Sequence, residues 1–154
     1  MVGWSDEERL EKDREEAYKS AAAHLVKASA HFQAGRFNEG MTELVGATTC
    51  YEAGKVWNEA ASIREVMAER NLSRGTQDNN YRASLDLGFA VGNWVSHGQD
   101  LEEQGRMEEA CESFTNALDA ANRSVKINPL QAGMPVFKLK KSNAEKAIEK
   151  LKCH

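Results

Sequence analysis

The chain has 154 residues, of which 20 are Lys or Arg and 24 are Asp or Glu, so its formal net charge is −4. A length of this order suits one domain, which buries about 68–70% of its unfolded surface and can hold a core without metal or disulfide bonds. Ala, Glu, Lys, Leu and Arg dominate the composition, runs of β-branched residues are nearly absent, and Pro occurs only 2 times. This composition predicts an all-α fold.

Three features of the chain predict an intracellular, cytoplasmic protein. No apolar stretch approaches the roughly 18 residues that indicate a membrane-spanning helix. The first four residues, Met1-Val2-Gly3-Trp4, lack the charged and then apolar order of a secretory signal. Cys50, Cys111 and Cys153 are odd in number and far apart, which predicts reduced thiols in a cytosol-like compartment.

The first helices are predicted from their start and stop signals. Ser5-Asp6-Glu7-Glu8 is a capping box that opens a helix reaching about Ala34, with small or apolar residues at intervals of three, four and seven. Gly35 ends this helix, because glycine adopts the left-handed conformation at a helix end without steric cost. A second helix is predicted over about residues 37–53, and Gly54 ends it in the same way.

A third helix is predicted over about residues 56–71, between two hairpins. The polar residues 73–80 are rich in turn formers and predict a loop before a fourth helix, over about residues 81–104. The fifth helix follows Gly105 and covers about residues 107–127.

After Asn128-Pro129 the pattern becomes irregular, with Gly133 and Pro135 inside it. Ser142-Asn143-Ala144-Glu145 is a second capping box and predicts a last helix over about residues 142–152. The whole chain, residues 1–154, is thus predicted to be a single helical domain of about six antiparallel helices. Its hairpins cover about residues 6–53 and 81–127, since short connections fold sequential helices back on each other.

A shift of 70 residues lays the first hairpin on the second. It places Gly35-Arg36-Phe37 on Gly105-Arg106-Met107, and it also pairs Glu39 with Glu109, Leu44 with Phe114 and Ala47 with Ala117. Internal self-similarity at a fixed period is typical of helical repeat proteins.

The second copy resembles the tetratricopeptide repeat. Residues 94–101, from Trp94 to Leu101, resemble the W-x2-L-G-x2-Y opening of that family, and Ala110-x3-Phe114-x2-Ala117 resembles its second helix. A period of 34 residues is about half of the observed shift. The resemblance implies an array of α-α hairpins with Gly98 and Ala110 at close helix crossings.

The match is incomplete, and two other architectures stay open. His97 replaces the leucine of the opening, Leu101 replaces the tyrosine, and Gly54 follows Gly35 by only 19 residues, which breaks a regular period. A divergent array of the kind found in SNAP-type adaptors accommodates these departures. A pair of three-helix bundles similar to microtubule-interacting-and-transport domains, or an unrelated helical bundle with glycine turns, are the alternatives.

The residues that carry chemistry do not form a catalytic or metal-binding pattern. His24 and His31 are seven residues apart with no Cys or acidic ligand at a useful spacing, and Cys153-His154 lies at the end of the chain. Adjacent acids such as Glu102-Glu103 point in different directions from a helix, so they do not converge as a catalytic pair would. We therefore expect no enzyme, no metal and no cofactor.

Charge is unevenly distributed between the ends of the chain. Residues 5–16 hold seven acids and three bases, whereas residues 126–154 hold seven lysines and two glutamates. The two ends could attract each other, dock partners of opposite charge, or simply be solvated. Nucleic acid is not expected, because the basic end has no Arg, Phe137 is its only aromatic residue and the pI is about 5.6.

The resemblance implies a non-catalytic adaptor or scaffold that holds a peptide or helix of a partner protein in a concave groove. Its candidate groove residues are Leu25, Val26, Ser29 and Gln33 in the first copy and Val95, Ser96, Gln99, Glu102 and Glu103 in the second. The Lys/Asn/Arg clamp by which chaperone-binding members of the family hold a C-terminal carboxylate is missing, so we expect no binding of acidic C-terminal tails. A structural accessory subunit of a large complex, held by its outer faces and charged termini, is the alternative, and a small ligand carrier is a third.

Overall fold

The computed structural model of the chain describes residues 3–153. Six α-helices and one 3-10 helix make up this part, which contains no strand, and the predicted all-α fold is confirmed. They are α1 (Asp6–Gln33), α2 (Phe37–Ala53), α3 (Trp57–Ser73), α4 (Gln77–Glu103), α5 (Met107–Ile127), the 3-10 helix (Pro129–Gly133) and α6 (Pro135–Leu151). None of the helices in this range is both long and apolar enough to cross a membrane. Met1, Val2 and His154, which entered the predictions for the two ends of the chain, lie outside the described residues.

The chain divides into two compact units, unit 1 up to Ile63 and unit 2 from Arg64 onward. Helix α3 begins in the first and ends in the second. The sequence predicts that the whole chain is a single domain. This depends on how the two units combine, so it stays a prediction.

In unit 1, α1 and α2 form a hairpin that packs through small residues. Ser5 caps α1 as predicted, because its hydroxyl accepts from the Glu8 amide at 3.1 Å, but the Glu8 carboxylate accepts from this hydroxyl at 3.0 Å and not from the Ser5 amide. Ala17, Ala21 and Ala28 are the buried residues of α1. Gly40 of α2 lies under the Phe32 ring, where a Cβ would be only 2.6 Å from the ring. A hairpin this tight needs small side chains where the two helices cross.

The turns that follow α1 and α4 share one geometry, as the 70-residue shift predicted. Gly35 and Gly105 both have φ of +76°. In each turn the amide of the next residue, an arginine, donates to the carbonyl five residues earlier, at 2.8 Å in the first and 2.9 Å in the second. Glycine allows this left-handed geometry without a Cβ clash.

The turn after α2 has the same geometry, since the Val56 amide donates to the Tyr51 carbonyl at 2.8 Å, but its left-handed residue is not a glycine. Gly54 stands at the predicted end of the helix, but its φ is −90°, and the left-handed residue is Lys55 with φ of +57°. The prediction that Gly54 supplies the reversal is therefore wrong. Gly54 is required for another reason, since a Cβ there would lie 2.5 Å from the Cβ of Ala17.

In unit 2, α4 and α5 form the second hairpin around a core that includes Leu87, Val91 and Phe114. Gly98 lies against the Phe114 ring, and a Cβ at this position would be 2.8 Å from it. This close crossing was predicted at Gly98 from the repeat pattern. Toward the other end of the hairpin, the Ser84 hydroxyl donates to the Ser124 carbonyl at 3.1 Å.

Helix α6 packs on this hairpin, parallel to α4 and antiparallel to α5. Gly92 of α4 lies opposite Lys140, and farther along the two helices Lys150 contacts the Glu102 carboxylate at 2.7 Å. Cys153, just after α6, is joined by a disulfide to Cys111 near the start of α5. Unit 2 is therefore a three-helix layer in which α6 covers part of α4 and α5.

Two predicted boundaries are wrong in this unit. The last helix begins at Pro135 and not at residue 142, so Ser142 lies inside α6 and caps nothing. The loop predicted over residues 73–80 is shorter, because α4 already begins at Gln77, where the Thr76 hydroxyl accepts from the Asn79 amide at 3.1 Å. Proline at the first position of α6 is preorganised for a helix and needs no amide partner there.

The expectation of reduced cysteines is corrected for two of the three. Cys111 and Cys153 form a disulfide between residues 42 apart in sequence, and Cys50 is a free thiol.

Candidate protein-binding surfaces

The four predicted groove residues of the first copy lie together on α1. Leu25, Val26, Ser29 and Gln33 follow the spacing i, i+1, i+4 and i+8, which keeps them on one side of a helix. Val26 is 71% exposed, Ser29 and Gln33 are exposed, and Leu25 is half-buried. We call these four residues the α1 strip; it lies beside the face that α1 packs on α2.

The equivalent residues of the second copy are partly covered. Val95 is 1% exposed and belongs to the core of unit 2, so its side chain cannot contact a partner. Glu102 is half-buried and its carboxylate is paired with Lys150 of α6. Ser96 is half-buried, and Gln99 and Glu103 are exposed. The α1 strip is therefore the more open of the two predicted surfaces.

A half-buried hydrogen bond between His24 and Glu43 joins α1 to α2 close to the α1 strip. His24 Nδ1 lies 2.6 Å from Glu43 Oε2, and the imidazole packs over Gly46, where a Cβ would be 2.8 Å from the ring. The hydrogen bond from His24 lowers the pKa of the Glu43 carboxyl below its usual value. His24 thus ties α1 to α2.

Unit 2 contains a buried polar cluster that the sequence did not predict. The Asp86 carboxylate, on a residue 7% exposed, accepts from Asn71 Nδ2 at 2.9 Å and lies 3.8 Å from Arg64. Asn79 Nδ2 donates to Asn71 Oδ1 at 3.0 Å. Burial raises the pKa of Asp86 to about 6, against the lowering effects of Asn71 and Arg64. The available signal was an aspartate between Leu85 and Leu87 in a helix otherwise rich in apolar residues.

Trp94, the first residue of the segment that resembles the repeat opening, is held by hydrogen bonds of both its side chain and its backbone. Its indole Nε1 donates to Glu65 at 3.2 Å, and the same carboxylate accepts from Arg123 at 2.8 Å. The Trp94 carbonyl accepts from the Ser113 hydroxyl at 2.7 Å. Trp94 is therefore held within unit 2 and is not a free stacking surface.

A second surface, also missed from the sequence, lies at the 3-10 helix and the start of α6. Four large apolar side chains are exposed there, namely Leu130 at 81%, Met134 at 52%, Val136 at 70% and Leu139 at 58%. We call these four residues the apolar tip. The sequence predicts only an irregular backbone in this segment, because Gly133 and Pro135 lie within it.

Unit 1 also has a surface depression. A shallow depression in unit 1 is lined by Asp13, Glu16, Ser20 and Cys50, among others. Among residues 3–153, no three His, Cys, Asp or Glu side chains stand close enough together to hold a metal ion.

No protein-family model matches the chain, and no curated protein or solved structure matches it. The tetratricopeptide resemblance thus depends on the residues and turns described above.

Proposed function

We propose that the chain is a non-catalytic, intracellular protein-binding module, an adaptor or scaffold of tetratricopeptide-like hairpins, whose α1 strip holds a peptide or helix of a partner protein. The observation that supports this most directly is Val26, an apolar side chain 71% exposed on a well-packed hairpin. Ser29 and Gln33 lie on the same side of α1 and offer hydrogen bonds around it. An apolar anchor with polar neighbours is the usual pattern of helix and peptide recognition.

The packing of α6 also supports a hairpin array. In such arrays the first helix of each unit packs on the previous hairpin, and a terminal helix covers the last apolar face. Helix α6 lies parallel to α4 and supplies Phe137 to the core of unit 2. Its position is that of a capping helix, which leaves the first hairpin as the binding element.

Acidic C-terminal tails are not the proposed ligand. Binding of a terminal carboxylate in chaperone-binding members of the family needs a cluster of Lys, Asn and Arg. At the corresponding places of the second copy this chain has Val95 and Gln99.

A structural accessory subunit is the second candidate. It is favoured by the N-terminal part of α1, where every residue from Asp6 to Glu16 is exposed and acids outnumber bases. A helix segment that buries none of its residues is marginally stable in water, and a basic partner that packed on it would stabilise it.

Affinity purification with mass spectrometry, using matched variants, tests both candidates. Val26→Asp should remove the partner, whereas Val45→Asp, a change at another exposed valine of unit 1, should retain it. Loss of the partner only with Glu7→Lys/Glu11→Lys would favour the accessory subunit. Retention of every partner by Val26→Asp, with an unchanged melting temperature, would contradict binding at the α1 strip.

A further inference from the structure

The apolar tip lies at one end of unit 2. Leu130, Met134, Val136 and Leu139 lie within ten residues of each other and are all more than half exposed. Clusters of exposed large apolar side chains in a folded protein mark interaction sites.

Two buried residues that lie between those of the tip in the sequence hold this segment in place. Phe137 and Gln131 are both buried, at 5% and 7% exposure. Gly88 of α4 makes room for them, since a Cβ there would be 2.6 Å from the Gln131 amide nitrogen and 3.7 Å from the Phe137 ring. The packing of Gln131 and Phe137 on α4 therefore fixes the position of the segment that carries the tip.

Positive charge surrounds the tip. Lys138 is exposed on the first turns of α6, and Lys140 and Lys141 are half-buried beside it. The hydrogen bond between Ser84 and Ser124 brings the exposed Arg82 and Lys126 to the same end of the hairpin.

The opposite end of unit 2, around the Gly105 turn, is acidic. It carries Glu102, Glu103, Glu108, Glu109 and Glu112, which outnumber the bases at the same end, Arg106, Lys150 and Lys152. Unit 2 is thus polarised along its helices, with the apolar tip at the basic end. This polarity orients the tip toward an anionic surface.

We propose that unit 2 docks peripherally on an anionic lipid surface, with the side chains of the apolar tip entering the interface between headgroups and acyl chains. Lysines 138, 140 and 141 contact the phosphate groups of the lipids. Apolar burial together with attraction to anionic headgroups is the combination by which peripheral proteins bind membranes. A partner protein would need a groove deep enough to receive all four exposed side chains, whereas a lipid surface deforms around them. The site is separate from the α1 strip, so this inference does not rest on the proposed protein-binding function.

Co-sedimentation of the full chain with phospholipid vesicles tests the proposal. The chain should bind vesicles of phosphatidylcholine with about 30% phosphatidylserine and not vesicles of phosphatidylcholine alone, and binding should fall as salt is raised from about 50 to about 500 mM. Val136→Ser/Leu139→Ser and Lys138→Glu/Lys140→Glu should each weaken binding by at least about tenfold.

Matched variants in unit 1 serve as controls. Leu10→Ser/Val45→Ser removes two other exposed apolar side chains, and Lys19→Glu/Lys27→Glu reverses two other exposed charges. Both should bind as the unaltered chain does, with circular dichroism confirming the fold of every variant. The proposal is overturned if the unaltered chain fails to bind the anionic vesicles at low salt. It is also overturned if the control variants lose as much binding as the tip variants, or if Val136→Ser/Leu139→Ser binds normally, since binding would then be a general attraction to polyanions.

Discussion

The carboxylate of Asp86 on α4 lies 2.9 Å from the side-chain amide nitrogen of Asn71 on α3, within unit 2. The hydrogen bond only partly offsets the burial of the charge, which raises the pKa of Asp86 to about 6 from 3.8. Between these two values the folded chain binds more protons at this site than the unfolded chain. Stability therefore falls as pH rises through this range, and the full penalty is present above about pH 6.

Asp86→Asn should remove this pH dependence. An asparagine still accepts a hydrogen bond from Asn71 but cannot ionise. We expect the free energy of unfolding of the variant, relative to the unaltered chain, to rise by about 2–2.5 kcal/mol between about pH 4 and pH 7.5, since one pKa unit corresponds to about 1.4 kcal/mol and the carboxyl of the unfolded chain is already partly ionised at pH 4. Denaturant unfolding of both proteins at the two pH values measures this, and the other titrating groups cancel in the comparison. A difference that stays constant with pH would contradict the assignment.

Gly98 should tolerate no side chain. Gly98→Ala places a Cβ 2.8 Å from the ring of Phe114, which is buried and cannot move away freely. We expect a loss of about 1–2 kcal/mol in the free energy of unfolding, because overpacking outweighs the gain in helix propensity. Gly92→Ala on the same helix is the matched control, since the nearest atom to its Cβ is the Lys140 side chain at 3.9 Å. That variant should be as stable as the unaltered chain or up to about 1 kcal/mol more stable.

Lys55 should be improved by glycine. Its φ of +57° is the left-handed conformation that Gly35 and Gly105 adopt in the two equivalent turns. Lys55→Gly should raise the free energy of unfolding by about 1 kcal/mol, because the Cβ penalty of this conformation exceeds the added entropy of the unfolded chain. Gly35→Ala should lower it by about the same amount, as the space around Gly35 is open and only conformation matters. The two variants should therefore change the free energy of unfolding in opposite directions. A loss of stability in Lys55→Gly would contradict this prediction.

The helices and their turns were predicted from the sequence where the signal is local. The turns at Gly35 and Gly105, the helix cap at Ser5, and helices α2 and α5 need only neighbours along the chain. The start of α6 was missed because Ser142-Asn143-Ala144-Glu145 satisfies a local rule while Pro135 already begins the helix. Both Pro135 and Ser142 are permitted starting points for α6 by local rules. The packing of Phe137 selects the earlier one, and a local pattern cannot show this packing.

The surfaces were harder to predict, because they depend on which elements pack together. Val95 follows the spacing of a groove residue but is buried in the core that α4 and α5 form with α6. The spacing of Leu130 and Val136 in the sequence matches no helical or strand period. The sequence therefore does not show which apolar residues of this segment are exposed. Asp86 and Asn71 are 15 residues apart, on two helices that the sequence did not pair.

Gln99→Ala and Ser96→Ala test what remains of the second predicted groove. Gln99 is exposed and Ser96 half-buried beside the covered part of α4. We expect a partner that binds the α1 strip to lose less than about threefold in affinity, a change of under 1 kcal/mol. Calorimetric titration with the purified partner measures this. A larger loss than that caused by Val26→Asp would place the binding surface on α4 instead.

The disulfide between Cys111 and Cys153 should stabilise unit 2 only in oxidising conditions. Closing a loop between residues 42 apart is worth about 4 kcal/mol in the chain-entropy account. Cys153→Ser should lower the free energy of unfolding by about 3–4 kcal/mol without reductant, and a reductant should bring the unaltered chain down to the level of the variant. Cys50→Ser, which removes the free thiol, is the control and should leave the effect of the reductant intact.

The same pair of cysteines tests the proposed intracellular location. A reducing cytoplasm holds most accessible thiol pairs open, whereas secreted proteins keep theirs closed. If the chain works in the cytoplasm, alkylation of thiols in intact cells should label Cys111 and Cys153 as well as Cys50. The reduced chain must then remain folded, as the packing of α6 through Phe137 and Ala144 leads us to expect. Labelling of Cys50 alone in living cells would contradict a cytoplasmic location and place the chain in an oxidising compartment.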